Sequence, residues 1–432
     1  MTALSELSLV EISQRLAAGT LTSEALTQAC LDRIAARDVE VGAWTFLDPD
    51  HALKQARLRD REPRRGPLHG IPVGIKDVLD TFDMPTLWGD ATTYAGRQPQ
   101  RDAPIVRALR DAGAVILGKT EVSRFGFWWP SRTRNPLALD RTPGSSSSGS
   151  AAAVADGMCP LAVGTQTGGS IIRPAAFCGL AGIKPSHDWI AWRNARDFAP
   201  SFDVAGWLAR DISGLQFAFH AVTGRKAYAP DAPLPPKTIV GLNRTADWSA
   251  APPYARDNFE RVAVHLADAG LEVREVALPA DYDALSDAQH AIVQYETARL
   301  FDWELREARD LLDGGVRELV EGGLAVSQAE YNEAQDLAHR LRSRFDRDLD
   351  GVDLLMVPGS QGEPPPVSDC GSNIFIRMWM MLHAPDISLP AGIGPSGLPL
   401  SVQLISRRGS DAILLAHARR IETILHGFPG AR

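Results

Sequence analysis

The sequence predicts an α/β fold in three layers (α/β/α), with helices on both sides of one central sheet. Short apolar runs of strand length are mixed with helical patterns along the whole chain, and this mixture is typical of a layered α/β domain. The 432 residues are 44% hydrophobic and 23% charged. This composition supplies enough apolar surface for a sizeable core and argues against global disorder.

The first half of the chain contains both kinds of element. Residues 8–37 predict two helices, because Ser8 and Glu11 have the spacing of a capping box and Gly19 follows the first helical segment. Further along, short apolar and often β-branched runs predict buried strands, whereas helical or small-residue patterns predict helices. The strands are expected at 71–79, 114–117 and 160–167, and the helices at 104–113 and 150–157.

The second half begins with a proline-rich segment, residues 228–237, which is the best candidate for a linker. It is short and a strand-like run follows it at once, so we interpret it as a loop within one sheet. Residues 256–345 are expected to be mainly helical, and strands are predicted at 353–358, 387–392 and 398–406. We therefore expect a single domain over 1–432, made of N-terminal helices (about 1–65), a core (about 66–215) and a C-terminal half (about 237–432).

Charge and cysteine usage exclude several classes of function. The net charge of −8 gives no general footprint for nucleic acid, which needs clustered lysine and arginine. No apolar run is long enough for a membrane helix, and the N-terminus lacks a signal-peptide pattern. The cysteines have no metal-type spacing and suit a reducing compartment, so a cytoplasmic location is predicted. They are Cys30, Cys159, Cys178 and Cys370.

One segment formally matches a nucleotide-binding motif. Residues 113–120, GAVILGKT, fit the P-loop pattern GxxxxGK[ST]. A P-loop needs a flexible glycine-rich turn, whereas the four residues before Gly118 are apolar and themselves form a strand. Lys119 is therefore expected near a strand end, and nucleotide binding is not predicted.

A cluster of serines and glycines points to hydrolysis instead. In TQTGGSIIRPAAFCG, residues 165–179, two glycines precede Ser170. Glycines let backbone N–H groups converge on one point, where they can hold a negatively charged oxygen beside a serine nucleophile. Lys76 follows an apolar run, so burial is expected to lower its pKa and make it a competent base. The serine-rich turn at 144–150 completes the ingredients of a serine–lysine hydrolase.

A histidine-dependent site stays open at this stage. There is no GxSxG elbow, and no histidine lies in a pattern with a serine. His187 and His383 could approach a site, because the members of a Ser-His-Asp triad need not be adjacent in sequence.

The sequence as a whole resembles the amidase signature family. The signature itself is matched by residues 144–186, GSSSSGSAAAVADGMCPLAVGTQTGGSIIRPAAFCGLAGIKPS. The resemblance covers nearly the whole chain in the family's order. The other matching segments are PLHGIPVGIKD (67–77), AGAVILGKTE (112–121), RNPLALDRTPG (134–144) and DISLPAGIGPSGLPLSVQLIS (386–406).

The resemblance implies a fold with a large twisted mixed sheet and a Ser–cis-Ser–Lys triad. By motif position, the catalytic residues would be Lys76 as base, Ser146 as bridging serine and Ser170 as nucleophile, with a cis peptide at Ser145–Ser146. No cofactor and no metal are implied. The oxyanion hole would consist of the backbone N–H groups around Thr167, Gly168, Gly169 and Ser170.

The chain departs from the family pattern beside the nucleophile. Gln166 and Ile172 stand where the family usually has an Asp and an Arg that form an ion pair. Because both members are replaced, neither leaves an unpaired buried charge. We expect Arg173 to make a substitute contact with Gln166.

Two apolar segments are candidates for the substrate pocket. One contains Phe125, Phe127, Trp128 and Trp129, and the other is residues 374–381; plain core packing is the alternative for both. The predicted substrate-binding residues are Trp128, Trp129, Ser147, Trp379 and Met381.

The predicted function is hydrolysis of a hydrophobic or aromatic amide-type substrate, such as an amide, anilide or carbamate, through a serine acyl-enzyme. The expected partner is that small molecule, with neither nucleic acid nor membrane, and a homodimer is left open. The alternative is a glutaminase-type subunit of a multi-protein amidotransferase.

Overall fold

The computed structural model describes residues 7–224, 235–312 and 314–428. Its centre is one 11-stranded sheet in the order β1-β3-β2-β4-β6-β5-β10-β11-β9-β7-β8. The strands are β1 Trp44–Leu47, β2 Pro72–Lys76, β3 Val115–Thr120, β4 Leu161–Gln166, β5 Ala181–Lys184, β6 Val204–Ala209, β7 Ile239–Leu242, β8 Glu272–Glu275, β9 Leu354–Pro358, β10 Asp386–Ile393 and β11 Pro399–Ile405.

The sheet is mixed, as the sequence predicted. Strand β2 runs parallel to both β3 and β4, whereas β4 and β6 pair antiparallel. At the other end, β7 lies parallel to β8 and β9. The parallel trio β4-β2-β3 matters most for function, because its strands end beside the residues predicted to be catalytic.

The other regular secondary structure is mainly α-helical. They are α1 Leu9–Ala17, α2 Ser23–Val41, α3 Pro49–Arg61, α4 Pro104–Asp111, α5 Ser148–Ala155, α6 Ile172–Cys178, α7 Ile212–Thr223, α8 Pro253–Asp268, α9 Leu285–Leu300, α10 Asp302–Glu307, α11 Gly314–Ala325, α12 Gln328–Asp348, α13 Arg377–Met381 and α14 Asp411–Leu425. The Ser8 hydroxyl accepts the Glu11 N–H at the start of α1, which confirms the predicted cap.

Side chains on the two faces of the sheet enter different cores. In β4, Leu161 and Val163 pack into one hydrophobic cluster, whereas Ala162 between them packs into another with residues of α5 and α6. Successive strand residues point to opposite faces. The sheet is therefore covered on both sides, which gives the predicted three layers.

The predicted strands are all present, although four others were missed. The missed strands are β1, β5, β6 and β8. Residues 256–345 are mainly helical, as expected, and they also contain the short strand β8. Its sequence, EVRE, is polar and half-exposed because β8 is an edge strand with a single neighbour, so it carries no apolar signal. Residues 228–234 of the predicted linker lie outside the described residues.

Candidate active site

Lys76 is the last residue of β2 and its side chain is fully buried. Its Nζ donates to Ser146 Oγ at 2.8 Å, to Thr165 Oγ1 at 2.8 Å and to the Thr165 carbonyl at 3.3 Å. All three acceptors are uncharged. Burial lowers the pKa of Lys76 well below the usual value for lysine, while the charge of Asp203 raises that pKa and the charge of Arg173 lowers it. This environment favours the neutral amine over the ammonium form.

Ser146 lies in the serine turn that leads into α5. The peptide bond between Ser145 and Ser146 is cis. The Ser145 hydroxyl donates to the carbonyl of Phe127 at 3.1 Å and to that of Trp129 at 3.2 Å. These bonds fix the turn against the segment that carries the aromatic residues, and they leave Ser146 Oγ beside Lys76.

Ser170 lies in the turn between β4 and α6, where it is half-buried and lines a cavity of about 520 Å³. The Ser147 N–H donates to the Ser170 carbonyl at 3.3 Å. This bond connects the serine-rich turn (residues 144–150) to residues 167–170, the Gly-Gly-Ser loop. Lys76, Ser146 and Ser170 are thus brought to one place, although they are far apart in sequence.

The loop of residues 167–170 presents unused donors to the cavity. Thr167, Gly168, Gly169 and Ser170 all line it. Among the described residues, no acceptor takes the backbone N–H groups of Gly168, Gly169 or Ser170. Buried N–H groups without a partner are rare in folded proteins, so these are suited to hold a developing oxyanion.

A buried carboxylate lies beneath this loop. Asp203 accepts the Thr167 hydroxyl at 2.5 Å and the N–H groups of Phe198 and Ala199 at 2.7 and 3.0 Å. Burial raises the pKa of Asp203 to about 7, against the lowering effect of these bonds. The sequence analysis did not identify Asp203, because its partners come from other segments of the chain.

The expected contact between Arg173 and Gln166 does not form. Gln166 Oε1 instead accepts the N–H groups of Ile171 and Ile172, at 2.8 and 3.0 Å, where α6 begins. The amide thereby satisfies donors at the start of the helix, which an uncharged side chain can do. Ile172 is fully buried. In place of the Asp–Arg ion pair that the family resemblance implies, this chain therefore has a helix cap from Gln166 and apolar packing of Ile172.

Arg173 bonds to other parts of the site. Its guanidinium is buried and donates to the carbonyls of Gly371, at 2.8 Å, and Ser145. It lies 5.8 Å from the centre of the Trp128 ring. Burial lowers the pKa of Arg173 to about 10. Arg173 therefore supports the serine turn from below instead of bonding to Gln166.

The cavity has a volume of about 520 Å³, which is in the range of small-molecule sites. Its wall is partly aromatic or aliphatic and partly polar. The apolar lining is Phe127, Trp128, Trp129, Pro130, Phe198, Val293 and Leu319. The polar side chains are Arg173, Gln289, His290, Gln294, Glu318, Ser368, Asp369, Asn373 and Arg377, together with Cys370 and the residues of the loop 167–170.

Two of the five predicted substrate-binding residues lie at this cavity. Trp128 and Trp129 line it and are 49% and 46% exposed. The other three positions need correction. Trp379 and Met381 are fully buried in a core cluster, and Ser147 is buried with its hydroxyl bonded to the Thr165 backbone. Segment 374–381 was apolar because it packs in the core.

The two candidate histidines lie elsewhere. His187 and His383 stack on each other with ring centres 4.1 Å apart, and neither lines the cavity. His290 on α9 does line it. The Ser170 carbonyl is bonded to Ser147, the neighbour of the Ser146 that accepts from Lys76, whereas no hydrogen bond joins a histidine to Ser170 among the described residues.

Other classes of site leave no trace in the described part of the chain. No group of three or more His, Cys, Asp and Glu residues there could hold a metal ion. No helix among the same residues is long and apolar enough to cross a membrane. All four cysteines are buried free thiols.

Fold, cavity and loop together define an enzyme class that hydrolyses carbon–nitrogen amide bonds. The Amidase family model matches residues 25–415. The chain belongs to the amidase signature family.

Individual relatives agree with this assignment. A glutamyl-tRNA(Gln) amidotransferase subunit from Acidothermus cellulolyticus is 33% identical over 92% of this chain and 90% of its own length. A crystal structure of an amidase superposes with a TM-score of 0.89 at 30% identity, over 96% of this chain and 99% of the other. The peptide amidase of Stenotrophomonas maltophilia gives a TM-score of 0.83 at 31% identity, over 98% and 97%.

Proposed function

We propose that this chain is a stand-alone hydrolase of neutral, hydrophobic or aromatic amide-type substrates, with Ser170 as nucleophile. The observation that carries the proposal is the buried bond from Lys76 to Ser146 beside Ser170, which itself lines a partly aromatic cavity. Amides, anilides and carbamates are the substrates in view, and an ester would follow the same chemistry.

In the proposed mechanism, Lys76 begins as a neutral amine. It takes the proton of Ser146, which takes the proton of Ser170 as the Ser170 oxygen attacks the substrate carbonyl carbon. The carbonyl oxygen becomes an oxyanion and accepts hydrogen bonds from backbone N–H groups of the loop 167–170. Loss of one such donor typically raises the barrier by about 3 kcal/mol.

The relay then runs in the opposite direction. The proton held by Lys76 returns through Ser146 to the leaving nitrogen, the C–N bond breaks, and an amine or ammonia departs. Ser170 keeps the acyl group as an ester. A water molecule, deprotonated by the same relay, attacks this ester and releases the acid. Every proton taken is returned, so the cycle requires no cofactor.

The aromatic part of the cavity supports the choice of substrate. Trp128 and Trp129 remain about half exposed at its wall, although large apolar side chains usually avoid water. Phe127 and Phe198 continue this surface with ring centres 5.9 Å apart. A bound aromatic or alkyl group would cover them, and full burial of one such side chain contributes about 1.5–3 kcal/mol.

A second candidate function is the glutaminase subunit of a multi-protein amidotransferase. Two observations favour it. Relatives named as glutamyl-tRNA(Gln) amidotransferase subunits are 30–33% identical over most of the chain, and the polar part of the cavity contains Gln289, Asn373 and Arg377. That function would require protein partners, and free glutamine would be the source of ammonia.

One experiment separates the two functions. Purified protein and Ser170→Ala are incubated with glutamine, aliphatic amides, aryl amides, anilides, carbamates and esters, and products are measured by mass spectrometry. We expect hydrophobic substrates to be cleaved and Ser170→Ala to lose roughly 10⁴–10⁶-fold in kcat. Cleavage of glutamine alone, or only after partner proteins are added, would support the amidotransferase function instead.

A further inference from the structure

Two amide side chains that line the cavity bond to backbone carbonyls of the Gly-Gly-Ser loop. Gln289 Nε2, from α9, donates to the Thr167 carbonyl at 3.1 Å. Asn373 Nδ2, from the segment before α13, donates to the Gly168 carbonyl at 3.1 Å. The donors are 122 and 205 residues away from their acceptors along the chain, so both contacts depend on the assembled fold.

The two carbonyls belong to the same peptide units as the N–H groups of Gly168 and Gly169, which are unpaired among the described residues. A peptide unit is planar, so its C=O and N–H point in opposite directions. The carbonyl of Thr167 shares a plane with the N–H of Gly168, and the carbonyl of Gly168 shares one with the N–H of Gly169. A donor that fixes each carbonyl therefore also fixes the direction of the N–H across the same plane.

These peptide units need outside support because glycine gives them little of their own. Glycine has no Cβ to restrict its dihedral angles, so planes beside Gly168 and Gly169 would otherwise rotate freely. A Cβ at Gly168 would lie 3.1 Å from Asn373 Nδ2 and 3.6 Å from Gln289 Nε2, and a Cβ at Gly169 would lie 3.0 Å from the Asn373 Cβ. The glycines thus also create the space that lets both amides approach.

A third contact closes the remaining side of the loop. The Thr167 hydroxyl donates to Asp203 Oδ1 at 2.5 Å. The loop is therefore bonded by side chains from three separate segments, while within the described chain its own N–H groups at Gly168, Gly169 and Ser170 stay unpaired. An arrangement that bonds the carbonyls and leaves the N–H groups free is preorganised for an anion.

We propose that Gln289 and Asn373 are positioning residues that aim and polarise the Gly168 and Gly169 N–H groups at the oxyanion formed during amide hydrolysis. This inference rests on the function proposed above. A hydrogen bond to a peptide carbonyl also strengthens the N–H of the same peptide as a donor, because bonded groups polarise one another. The benefit appears when charge develops on the substrate oxygen, and it is small for the uncharged substrate.

The test uses two kinds of change: one keeps the side-chain shape, removes the donor and adds a negative charge, and the other removes the donor with the side chain and adds no charge. Gln289→Glu and Asn373→Asp replace each amide nitrogen by a carboxylate oxygen, and Gln289→Ala and Asn373→Ala serve as a second pair. Gln335→Glu is the matched control, since the Gln335 amide on α12 donates to Ser201 Oγ and Tyr331 OH at 2.8 and 3.1 Å and lies outside the cavity.

We expect each of the four variants to lower kcat by about 10–100-fold, less than the loss of an oxyanion donor itself, with KM changed by less than about threefold. Affinity for a boronic acid or trifluoromethyl ketone, which form tetrahedral adducts with the serine, should fall in parallel with kcat. Gln335→Glu should keep kcat and this affinity. Melting temperatures identify any variant that unfolds. The other variant at the same position then decides whether that amide is a positioning residue.

The outcomes distinguish the two proposals. If the wild type shows no turnover that depends on Ser170, the proposed function fails. If turnover depends on Ser170 but folded variants of Gln289 and Asn373 match Gln335→Glu in kcat and inhibitor affinity, this inference alone is wrong. A rise in KM with kcat and inhibitor affinity unchanged would also overturn it, because it would make these amides ground-state substrate contacts.

Discussion

Two lysines in adjacent strands show how environment divides one residue type into two roles. Lys76 ends β2 and Lys119 lies in β3, and both side chains are fully buried. In the β2–β3 register, Lys119 is paired with Ile75 and Lys76 with Thr120. Because successive strand residues point to opposite faces, the two lysines leave the sheet on opposite sides.

The region around Lys119 provides a carboxylate partner for its amine. Its Nζ donates to the Leu79 carbonyl at 2.8 Å and to Thr86 Oγ1 at 2.6 Å, and it lies 3.3 Å from Asp77 Oδ1. Burial lowers the pKa of Lys119, and the Asp77 carboxylate opposes this lowering. A lysine paired in this way holds neighbouring turns together. The lysine of the P-loop-like segment, residues 113–120, therefore has a structural contact.

The region around Lys76 is different, since its hydrogen bonds go to Ser146 and Thr165, neither of which carries a charge. The comparison teaches that burial alone does not mark a lysine as catalytic. A carboxylate contacts Lys119, the structural lysine, whereas no carboxylate bonds to Lys76, the lysine proposed as the base.

The largest effect should come from removing the Lys76 amine. We expect Lys76→Met to lower kcat/KM about 10⁴-fold, because the relay from Ser170 loses its base. Stability should change by less than about 1 kcal/mol, since no bonded carboxylate is left behind. Turnover of the best substrate and urea denaturation measure both. Strong residual activity in the folded variant would remove Lys76 from the mechanism.

The matched change at the other lysine should act on stability. Lys119→Met leaves Asp77 as an unpaired buried carboxylate, so we expect a loss of about 3–5 kcal/mol in the free energy of unfolding. The double variant Lys119→Met, Asp77→Asn should recover part of this loss. Equal stabilities for Lys119→Met and Lys76→Met would show that their partners do not distinguish the two lysines.

A smaller effect should appear in the pH dependence. If neutral Lys76 is the base, kcat/KM is low at acidic pH and rises as Lys76 loses its proton. The Asp203 charge raises the pKa of Lys76, so Asp203→Asn should move this rise to lower pH. Because the pKa of Asp203 is about 7, its charge is fully present only above that pH.

Thr167→Val should act in the same direction and more weakly. It keeps the Asp203 carboxylate but removes the hydroxyl whose hydrogen bond lowers the pKa of Asp203, so Asp203 is charged over a narrower pH range and the rise moves to lower pH by less than in Asp203→Asn. If kcat/KM has the same pH dependence in Asp203→Asn and in the wild type, then Asp203 holds the loop of residues 167–170 but does not influence the pKa of Lys76.

The features that were predicted correctly are local ones. Apolar runs of four to eight residues located the buried strands, because a strand in a covered sheet is apolar on both faces. The four middle residues of GAVILGKT identified a strand and excluded a P-loop at Lys119. The family resemblance supplied the mixed sheet and the positions of Lys76, Ser146 and Ser170, which the fold brings to one place.

The misses share another cause. Edge strand β8 carried no apolar pattern, and segment 374–381 was apolar for a reason that composition could not reveal. Arg173 was expected to meet Gln166, yet it bonds to Gly371, which is 198 residues away. Each of these outcomes depended on which distant segment packs against the residue in question.

Local patterns in the chain therefore predicted the layered fold and marked Ser170 and the glycines beside it as candidates, and the family resemblance proposed Ser170 as the nucleophile. These follow from short-range periodicity and from motifs whose residues are neighbours in the chain. Which lysine meets a carboxylate, and which side chains hold the Thr167 and Gly168 carbonyls, became clear only in the folded arrangement. The physical reason is that a hydrogen bond or ion pair is set by distances of about 3 Å in space, whereas its partners here lie tens to hundreds of residues apart.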